Sequence, residues 1–181
     1  MKIRTWIAIA LTSVVTFTAG CKPAQQAQAA AQEEDIGSQV RVLNYMDEGL
    51  GVVYVNGVWV GSMRRHAGGF GVAGGVGLPA KWHPGLTVEV EWQDDTLYRK
   101  DHDATYKAKV PVDPYDVKSD YPAVLWLAFM PGNKVKAIAS SYGPGHEKFP
   151  ADWKYPEKAC MEDALCATKF GSKPTAQPGK E

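Results

Sequence analysis

The 181-residue chain carries 20 Lys and Arg residues and 20 Asp and Glu residues, so its formal net charge is zero. Nucleic-acid-binding proteins carry basic patches or a strongly basic balance, so this composition argues against nucleic acid as a partner. The length is sufficient for one domain with a substantial hydrophobic core.

Residues 1–20 have the pattern of an export signal that is removed from the mature protein. Lys2 and Arg4 form a short positive region, and an uncharged, mostly apolar run follows over residues 6–19. A helix needs about 20 apolar residues to cross a membrane, so this run fits the apolar part of a signal peptide better than a transmembrane helix. We therefore predict a signal peptide over residues 1–20.

Cys21 is the predicted lipidation site. The run ends in Thr18-Ala19-Gly20-Cys21, and small residues before a cysteine resemble the lipobox of bacterial lipoproteins, although Thr18 stands where Leu is usual. An ordinary signal peptide with an incidental cysteine is the alternative. Multiple acyl chains on Cys21 would anchor the protein stably. Since Lys22 rather than Asp follows the cysteine, we expect an outer-membrane location facing the periplasm, with membrane contact through the lipid only.

Residues 21–38 are predicted to form a flexible tether. Residues 22–35 are rich in Ala and Gln and hold almost no large apolar side chain, so they cannot bury a core. A flexible chain of this length would span roughly 23 Å on average. The folded domain would then stand away from the lipid headgroups.

Residues 39–150 carry the pattern of a β domain. Short apolar or alternating runs separated by turn residues predict strands, and helical periodicity is absent up to about residue 156. Six or seven such strands predict an all-β fold, a small antiparallel β-sandwich or partly closed barrel with a short irregular C-terminal segment. The predicted strands are Val40–Met46, Val52–Val55, Val58–Gly61, Leu86–Trp92, Tyr106–Val110, Ala123–Met130 and Lys134–Ala139.

Three of these runs make specific predictions. Asn56-Gly57 between two apolar runs predicts a type I′ hairpin turn, which needs positive φ at both residues. In Leu86–Trp92, apolar residues alternate with polar ones, so every second side chain should face the core. Ala123–Met130 is apolar throughout and should form a central strand buried on both faces. The order of the strands is not readable from the sequence.

Residues 68–77 hold six glycines. Within them, Gly69 to Gly74 matches the spacing G-x-G-x-x-G, but the glycines and Pro79 that follow disfavour the helix that a dinucleotide site requires. We therefore predict a loop or bulged strand where the backbone approaches a neighbour closely, and no cofactor. Asp101-His102-Asp103 could supply metal ligands in principle, but we interpret it as a solvated turn.

Residues 151–170 are predicted to be a C-terminal segment stapled by a Cys160–Cys166 disulfide, followed by a polar tail over residues 171–181. Two free thiols are the alternative. Residues six apart on an α-helix are separated by about 9 Å of rise, whereas a disulfide needs Cα atoms within about 7 Å. Residues 157–169 therefore cannot be both an unbroken helix and disulfide-bonded. With two thiols and no nearby His in sequence, we expect no metal site.

A further set of motifs runs through residues 40–150: Asn44-Tyr45, the glycine-rich stretch, Leu78-Pro79-x-x-Trp82-x-Pro84-Gly85, Val90-x-Trp92 and Ser141-Tyr142-x-Pro144-Gly145-His146. Together they resemble a family of bacterial lipoproteins of unknown function. Its members are often encoded beside type VI secretion phospholipase effectors, and some are taken to be the cognate immunity proteins. Gly74 and Gly75 stand where many members have a Cys-Cys pair, so a bridge there is not open to this chain.

The resemblance implies a non-catalytic protein whose partner is a phospholipase effector, which it binds and neutralises in the periplasm. The candidate contacts are Arg64, Arg65, Phe70 and His83, because they lie in irregular segments that we expect to be exposed. Buried aromatic and Arg anchors carry most of the energy of such interfaces. A structural or assembly lipoprotein of the cell envelope or of a secretion apparatus is the alternative function. An enzyme is a third class, for which the sequence offers no motif.

We expect a Cys21→Ser variant to lose its lipid and to leave the membrane fraction, because the thiol of Cys21 is the predicted attachment point. Cell fractionation and mass spectrometry of the N-terminal peptide measure this. A Cys166→Ser variant, changed outside the predicted signal, is the control and should stay with the membrane. An unacylated Cys21 in the exported wild-type protein would contradict the prediction.

Overall fold

A computed structural model of the chain describes residues 35–69, 74–116 and 123–170. The predicted signal peptide, Cys21, nearly all of the tether, Phe70 and the polar tail lie outside these ranges. Within them the elements are, in chain order, β1 (Asp35–Asn44), β2 (Leu50–Val55), β3 (Val58–Met63), β4 (Ala67–Gly68), β5 (Gly75–Pro79), β6 (Thr87–Asp94), α1 (Asp95–Lys100), β7 (Tyr106–Asp113), β8 (Val124–Met130), β9 (Lys134–Ser140), α2 (Pro156–Glu162) and α3 (Ala164–Phe170).

The described strands form one nearly closed, barrel-like sheet, which confirms the all-β class. Its order is β3-β2-β6-β7-β9-β8-β1-β4, and β5 pairs with the N-terminal half of β1. The sheet is mixed rather than wholly antiparallel, because β1 runs parallel to β8 and β7 runs parallel to β9. The antiparallel β8–β9 hairpin lies between β7 and β1, and it is oriented so that both of its outer pairings are parallel.

The β2–β3 hairpin forms as the Asn56-Gly57 dipeptide predicts. Asn56 has φ +49° and Gly57 has φ +77°, the positive values that a type I′ turn requires. Val55 pairs with Val58 directly across the turn. The turn type therefore sets the register next to the turn, and irregularities shift it further along the pair, between Leu50 and Tyr54.

The barrel interior is filled by the alternating side chains that the sequence predicts. On β6, Val88, Val90 and Trp92 are buried, while Thr87 and Glu89 are exposed. β7 continues the pattern, with Val110 and Val112 buried and its lysines outside. Burying such side chains stabilises the fold by about 1.5–3 kcal/mol each.

Strand β8 is buried on both faces, as its unbroken apolar sequence predicts. Leu125, Leu127 and Phe129 point into the barrel core. On the outer face, Trp126 packs edge-on against Phe149, with ring centroids 5.3 Å apart, in a second cluster that also holds Leu43, Ala128 and Trp153. The chain after β9 therefore covers the outside of the barrel at β8.

Helix α1 was not predicted from the sequence. It forms because the carboxylate of Asp94 accepts a hydrogen bond from the Leu97 N–H at 2.7 Å and so caps the helix N-terminus. The exposed turn that follows holds Asp101 to Asp103, and His102 stacks on Tyr98 with ring centroids 4.4 Å apart. The interpretation of Asp101-His102-Asp103 as a solvated turn agrees with this exposure.

The Cys160–Cys166 disulfide is present, with Cα atoms 5.1 Å apart. The segment is helical rather than irregular, but the helix is interrupted as the bridge requires. Helix α2 ends at Glu162 and α3 begins at Ala164, and the Asp163 carboxylate between them accepts hydrogen bonds from the Leu165 and Cys166 N–H groups at 2.9 Å. These helices and α1 are too short to cross a membrane, and no described helix meets the length and apolarity needed.

The glycine-rich stretch brings the backbone close to its neighbours, as predicted. A Cβ on Gly74 would lie 2.5 Å from the Trp59 carbonyl oxygen of β3, and one on Gly68 would lie 2.7 Å from the Val42 carbonyl oxygen of β1. Gly74 leads into strand β5. A dinucleotide-binding G-x-G-x-x-G motif leads into a helix instead, so the spacing of these glycines does not have that structural setting. The stretch lies where the two ends of the sheet approach each other.

We expect Gly74→Ala to destabilise the protein by about 1–3 kcal/mol, because the new methyl group meets a backbone carbonyl that cannot turn away. Chemical denaturation measures the free energy of unfolding. Gly37→Ala is the matched control on β1, where an added Cβ meets nothing within 4 Å. Equal stability of the two variants would contradict the proposed close approach between β3 and Gly74.

Candidate partner-binding surface

A groove of about 1020 Å³ lies between the turns at the ends of β1 and β3 and the two C-terminal helices. One wall comes from the turn before β2 and from the end of β3 with the residues that follow it. The other wall comes from α2 and the last residue of α3. Its lining residues are Gly49, Leu50, Gly51, Ser62, Met63, Arg64, Arg65, His66, Ala67, Asp95, Glu157, Cys160, Met161 and Phe170.

A buried asparagine fixes the strand side of the groove. Asn44, at the end of β1, is completely buried, and its amide nitrogen donates hydrogen bonds to the carbonyl oxygens of Glu48 at 2.8 Å and Arg64 at 3.1 Å. Its amide oxygen accepts from the Met46 N–H at 3.0 Å. One side chain therefore anchors both turns, while the side chains of Arg64 and Arg65 are left exposed.

An ionic contact joins the turn after β1 to the end of α3. Asp47 accepts from the Lys169 ammonium at 2.7 Å, and its other oxygen lies 2.9 Å from Nε2 of His66. The Lys169 hydrogen bond, with a smaller contribution from His66, lowers the pKa of Asp47 from its usual value. This arrangement links the end of α3 to the turn after β1 across 122 positions of sequence.

The Phe170 ring contacts the His66 ring and the charged ends of Arg65 and Lys169. Its centroid lies 4.7 Å from that of the His66 ring, 4.9 Å from the Arg65 guanidinium carbon and 4.7 Å from the Lys169 ammonium nitrogen. Cations are attracted to the negative face of an aromatic ring. Phe170 therefore holds Arg65 in place without neutralising its charge.

The acidic residues of the groove are engaged with the backbone. Asp95 accepts from the Gly49 N–H at 2.9 Å, and Glu157 accepts from the Gly68 N–H at 3.4 Å. Within the described ranges, none of the ion pairs uses Arg64 or Arg65. The groove therefore presents two arginine charges that are available to an anionic group.

Exposed apolar side chains occur on the helical side, where Met161 lines the groove and Leu165 lies at the start of α3. Met161 on α2 lines the groove and is 58% exposed, and Leu165 at the start of α3 is 84% exposed. Arg, Met and aromatic residues are enriched in protein–protein interfaces. Two arginines that form none of the described ion pairs, in a groove that Met161 also lines, suit a partner segment that carries both carboxylates and apolar residues.

The predicted contact residues do not all meet at this groove. Arg64 and Arg65 line it, whereas Phe70 lies outside the described residues. His83 is exposed in the loop before β6, where its ring nitrogen lies 3.2 Å from the Pro84 carbonyl oxygen. Asp95 follows the far end of β6, and a strand of eight residues is about 23 Å long. His83 therefore lies away from the arginines.

The sequence did not predict the long-range contacts that form at this groove. No His lies near the two cysteines in sequence, but the fold brings the His66 ring to their disulfide, with the donor atoms of His66, Cys160 and Cys166 all within 4.8 Å of one another. The contacts of Asp47 with Lys169 and of Phe170 with His66 were also missed. No local pattern signals contacts between residues about 100 positions apart.

A family model described as "Protein of unknown function (DUF3304)" matches residues 43–137. The matched range begins in β1 and ends in β9, so it includes Arg64 and Arg65 but not α2 or α3. No curated protein and no solved structure matches the chain.

We expect Asp47→Asn to destabilise the protein at pH 6 by no more than about 1 kcal/mol, because Asp47 is exposed and such ion pairs are weak. The pKa of Asp47 is lower in the folded than in the unfolded state. The ionised carboxylate therefore adds to the free energy of unfolding at pH values above the unfolded-state pKa. The contribution is lost as the pH falls through the folded-state pKa.

Urea denaturation at pH 6 and at pH 3 measures the difference from wild type, which should shrink at the lower pH. Asp103→Asn, in the exposed turn after α1, is the control and should show little difference at either pH. If the loss of unfolding free energy in Asp47→Asn grew on acidification, the contact of Asp47 with Lys169 and His66 could not be its cause.

Proposed function

The chain belongs to the DUF3304 family, whose function is unknown, and we propose that it is a periplasm-facing lipoprotein that binds and neutralises a type VI secretion phospholipase effector. In this proposal the chain is a binding protein and not an enzyme. Contact with the effector is made at the groove around Arg64 and Arg65. Lipidation at Cys21 would hold the protein at the outer membrane, where the effector would attack the cell's own lipids.

The arrangement of Arg64 and Arg65 is the observation that carries the proposal. Both side chains are exposed at the groove, their backbone is anchored by Asn44, and the guanidinium of Arg65 rests on Phe170. A side chain held in place before binding loses less conformational entropy when the complex forms. Arginine is among the residues that most often dominate binding energy.

The groove suits recognition of a protein surface. Its walls come from the barrel and from a helix pair that is stapled by a disulfide and contacts the barrel through Lys169 and Asp47. Preorganised inhibitory interfaces change shape little on binding. An inhibitor of this kind needs anchors that block the cleft or lid of the enzyme and needs no catalytic group of its own.

The motif residues that carry the family resemblance have mainly scaffold roles. Leu78 is buried in the core, the Trp82 indole donates to the Val112 carbonyl oxygen at 2.7 Å, and the Tyr142 ring stacks on His146. Trp92 also packs in the core. These residues support a shared scaffold, so the proposal of a partner rests on the groove and on the lipoprotein pattern.

The chief rival is a structural or assembly lipoprotein of the envelope or of a secretion apparatus, which would share the same export signal and fold. The groove favours the immunity role over a purely structural one only if its arginines contribute to binding of the effector. A gene for a phospholipase beside the gene for this chain would favour immunity. An enzyme would instead need clustered titratable groups in a pocket that act on a substrate.

We expect the full chain to bind the phospholipase encoded beside it and to abolish its hydrolysis of phospholipid vesicles. An Arg64→Glu/Arg65→Glu variant should bind at least about 100-fold more weakly, because two anchors become repulsive and each hot-spot residue contributes 2 kcal/mol or more. Calorimetric titration gives the affinity, and the release of fatty acid gives the inhibition.

Lys134→Glu/Lys136→Glu is the matched charge-reversal control, since both lysines are exposed on β9 outside the groove and take part in none of the ion pairs of the described residues. It should retain full affinity. Tight binding by the arginine variant would exclude the groove as the contact surface but leave the function standing. Wild-type protein that neither binds nor inhibits the phospholipase would overturn the proposed function itself.

A further inference from the structure

The asparagines of the chain lie in three different settings. Asn44 is completely buried, and its side-chain amide is fully engaged in hydrogen bonds. Asn133 is exposed in the turn between β8 and β9, with φ +57°, and the bulky Lys134 follows it. Asn56 is exposed at the tip of the β2–β3 hairpin and is followed by Gly57. Asn56 alone is both open to water and followed by a residue without a Cβ.

This setting matters because an asparagine side chain can react with the backbone that follows it. The backbone nitrogen of the next residue attacks Cγ and passes its proton to solvent, and ammonia leaves as a cyclic imide forms. Water then opens the imide at one carbonyl to give aspartate, or at the other to give isoaspartate. A Cβ on the next residue hinders the attack, and Gly57 has none. The space around Gly57 is also open, since an added Cβ would meet nothing within 4 Å.

The side-chain carbonyl of Asn56 is polarised for this attack. Its Oδ1 accepts a hydrogen bond from the Glu89 N–H of β6 at 2.9 Å. Negative charge develops on this oxygen as Cγ is attacked, and a backbone donor already in place stabilises such charge. The Asn56 amide nitrogen donates none of the hydrogen bonds found among the described residues, so ammonia leaves without breaking a contact.

The attack also requires the hairpin tip to move. The Gly57 nitrogen must swing over Cγ of Asn56, and this takes the two residues out of the turn conformation. The tip is a place where this costs little, because all four residues from Asn56 to Trp59 are exposed. Exposed turns open locally at a much lower free energy than the whole fold. The reaction therefore proceeds without unfolding of the barrel.

We propose that Asn56 is a site of spontaneous deamidation in the native protein, with water as the co-reactant and with aspartate and isoaspartate as the products. Isoaspartate carries an extra methylene in the backbone, so it cannot form the two-residue turn. It also removes the side-chain carbonyl that accepts from the Glu89 N–H, and it displaces the Asn56 N–H that donates to the Glu89 carbonyl oxygen at 2.8 Å. The modification thus releases the tip of the β2–β3 hairpin from β6. It is independent of the proposed effector binding.

The test incubates the full chain at mildly alkaline pH and physiological temperature. Peptide mapping by mass spectrometry follows the change of amide to acid, and an isoaspartate-specific methyltransferase detects the second product. We expect the peptide of Asn56 to react at least tenfold faster than that of Asn133, which is the matched control. Mild acid should slow the reaction, because the attacking nitrogen must lose its proton. Equal rates at the two asparagines, or no reaction at Asn56, would overturn the proposal.

A second measurement follows the contact with β6. The isoaspartate form is separated by ion exchange, since deamidation adds one negative charge, and amide hydrogen exchange is measured at Glu89. We expect exchange at least tenfold faster than in fresh protein. An Asn56→Asp variant is the control, because its carboxylate can still accept from the Glu89 N–H, and it should keep the protection. An isoaspartate form with unchanged exchange at Glu89 would contradict the predicted release of the hairpin tip.

Discussion

Strand β8 packs against the barrel interior through Leu125, Leu127 and Phe129, and against the C-terminal segment through Trp126. The second contact brings the chain after β9 back across the outside of the barrel. Tyr45 adds a hydrogen bond to this packing, because its hydroxyl donates to the Lys154 carbonyl oxygen at 2.5 Å. Burial raises the pKa of Tyr45 to about 12, so the phenol stays protonated and able to donate. This packing places α2 and α3 beside the turn after β3, and the groove lies between them.

The groove is consequently built from two parts of the chain with different supports. The strand side is held by the buried amide of Asn44. It donates hydrogen bonds to the carbonyl oxygens of Glu48 and Arg64 and accepts one from the Met46 N–H. The helical side is held by the disulfide, by the Lys169–Asp47 contact and by packing around Phe170. The family match covers only the first part. Arg65, which belongs to the first part and rests on Phe170 of the second, is one of the residues that join them, together with His66 and Asp47.

The proposed effector binding needs the C-terminal helices to be fixed, so that Arg65 and the exposed Met161 are presented in one arrangement. The disulfide between α2 and α3, and the packing of Phe170 against His66 and Arg65, serve that purpose.

The sequence by itself determined the features that depend on a few neighbouring residues. The Asn56-Gly57 turn, the alternation along β6, the buried run of β8 and the break in the C-terminal helix all follow from local dihedral preferences or from the reach of a disulfide. Only the tertiary structure decided the parallel pairing of β1 with β8 and the meeting of His66 with Cys160. Many strand orders would bury the same apolar faces, so local patterns cannot choose among them. The choice is made by the packing of the whole chain, and the groove depends on that choice.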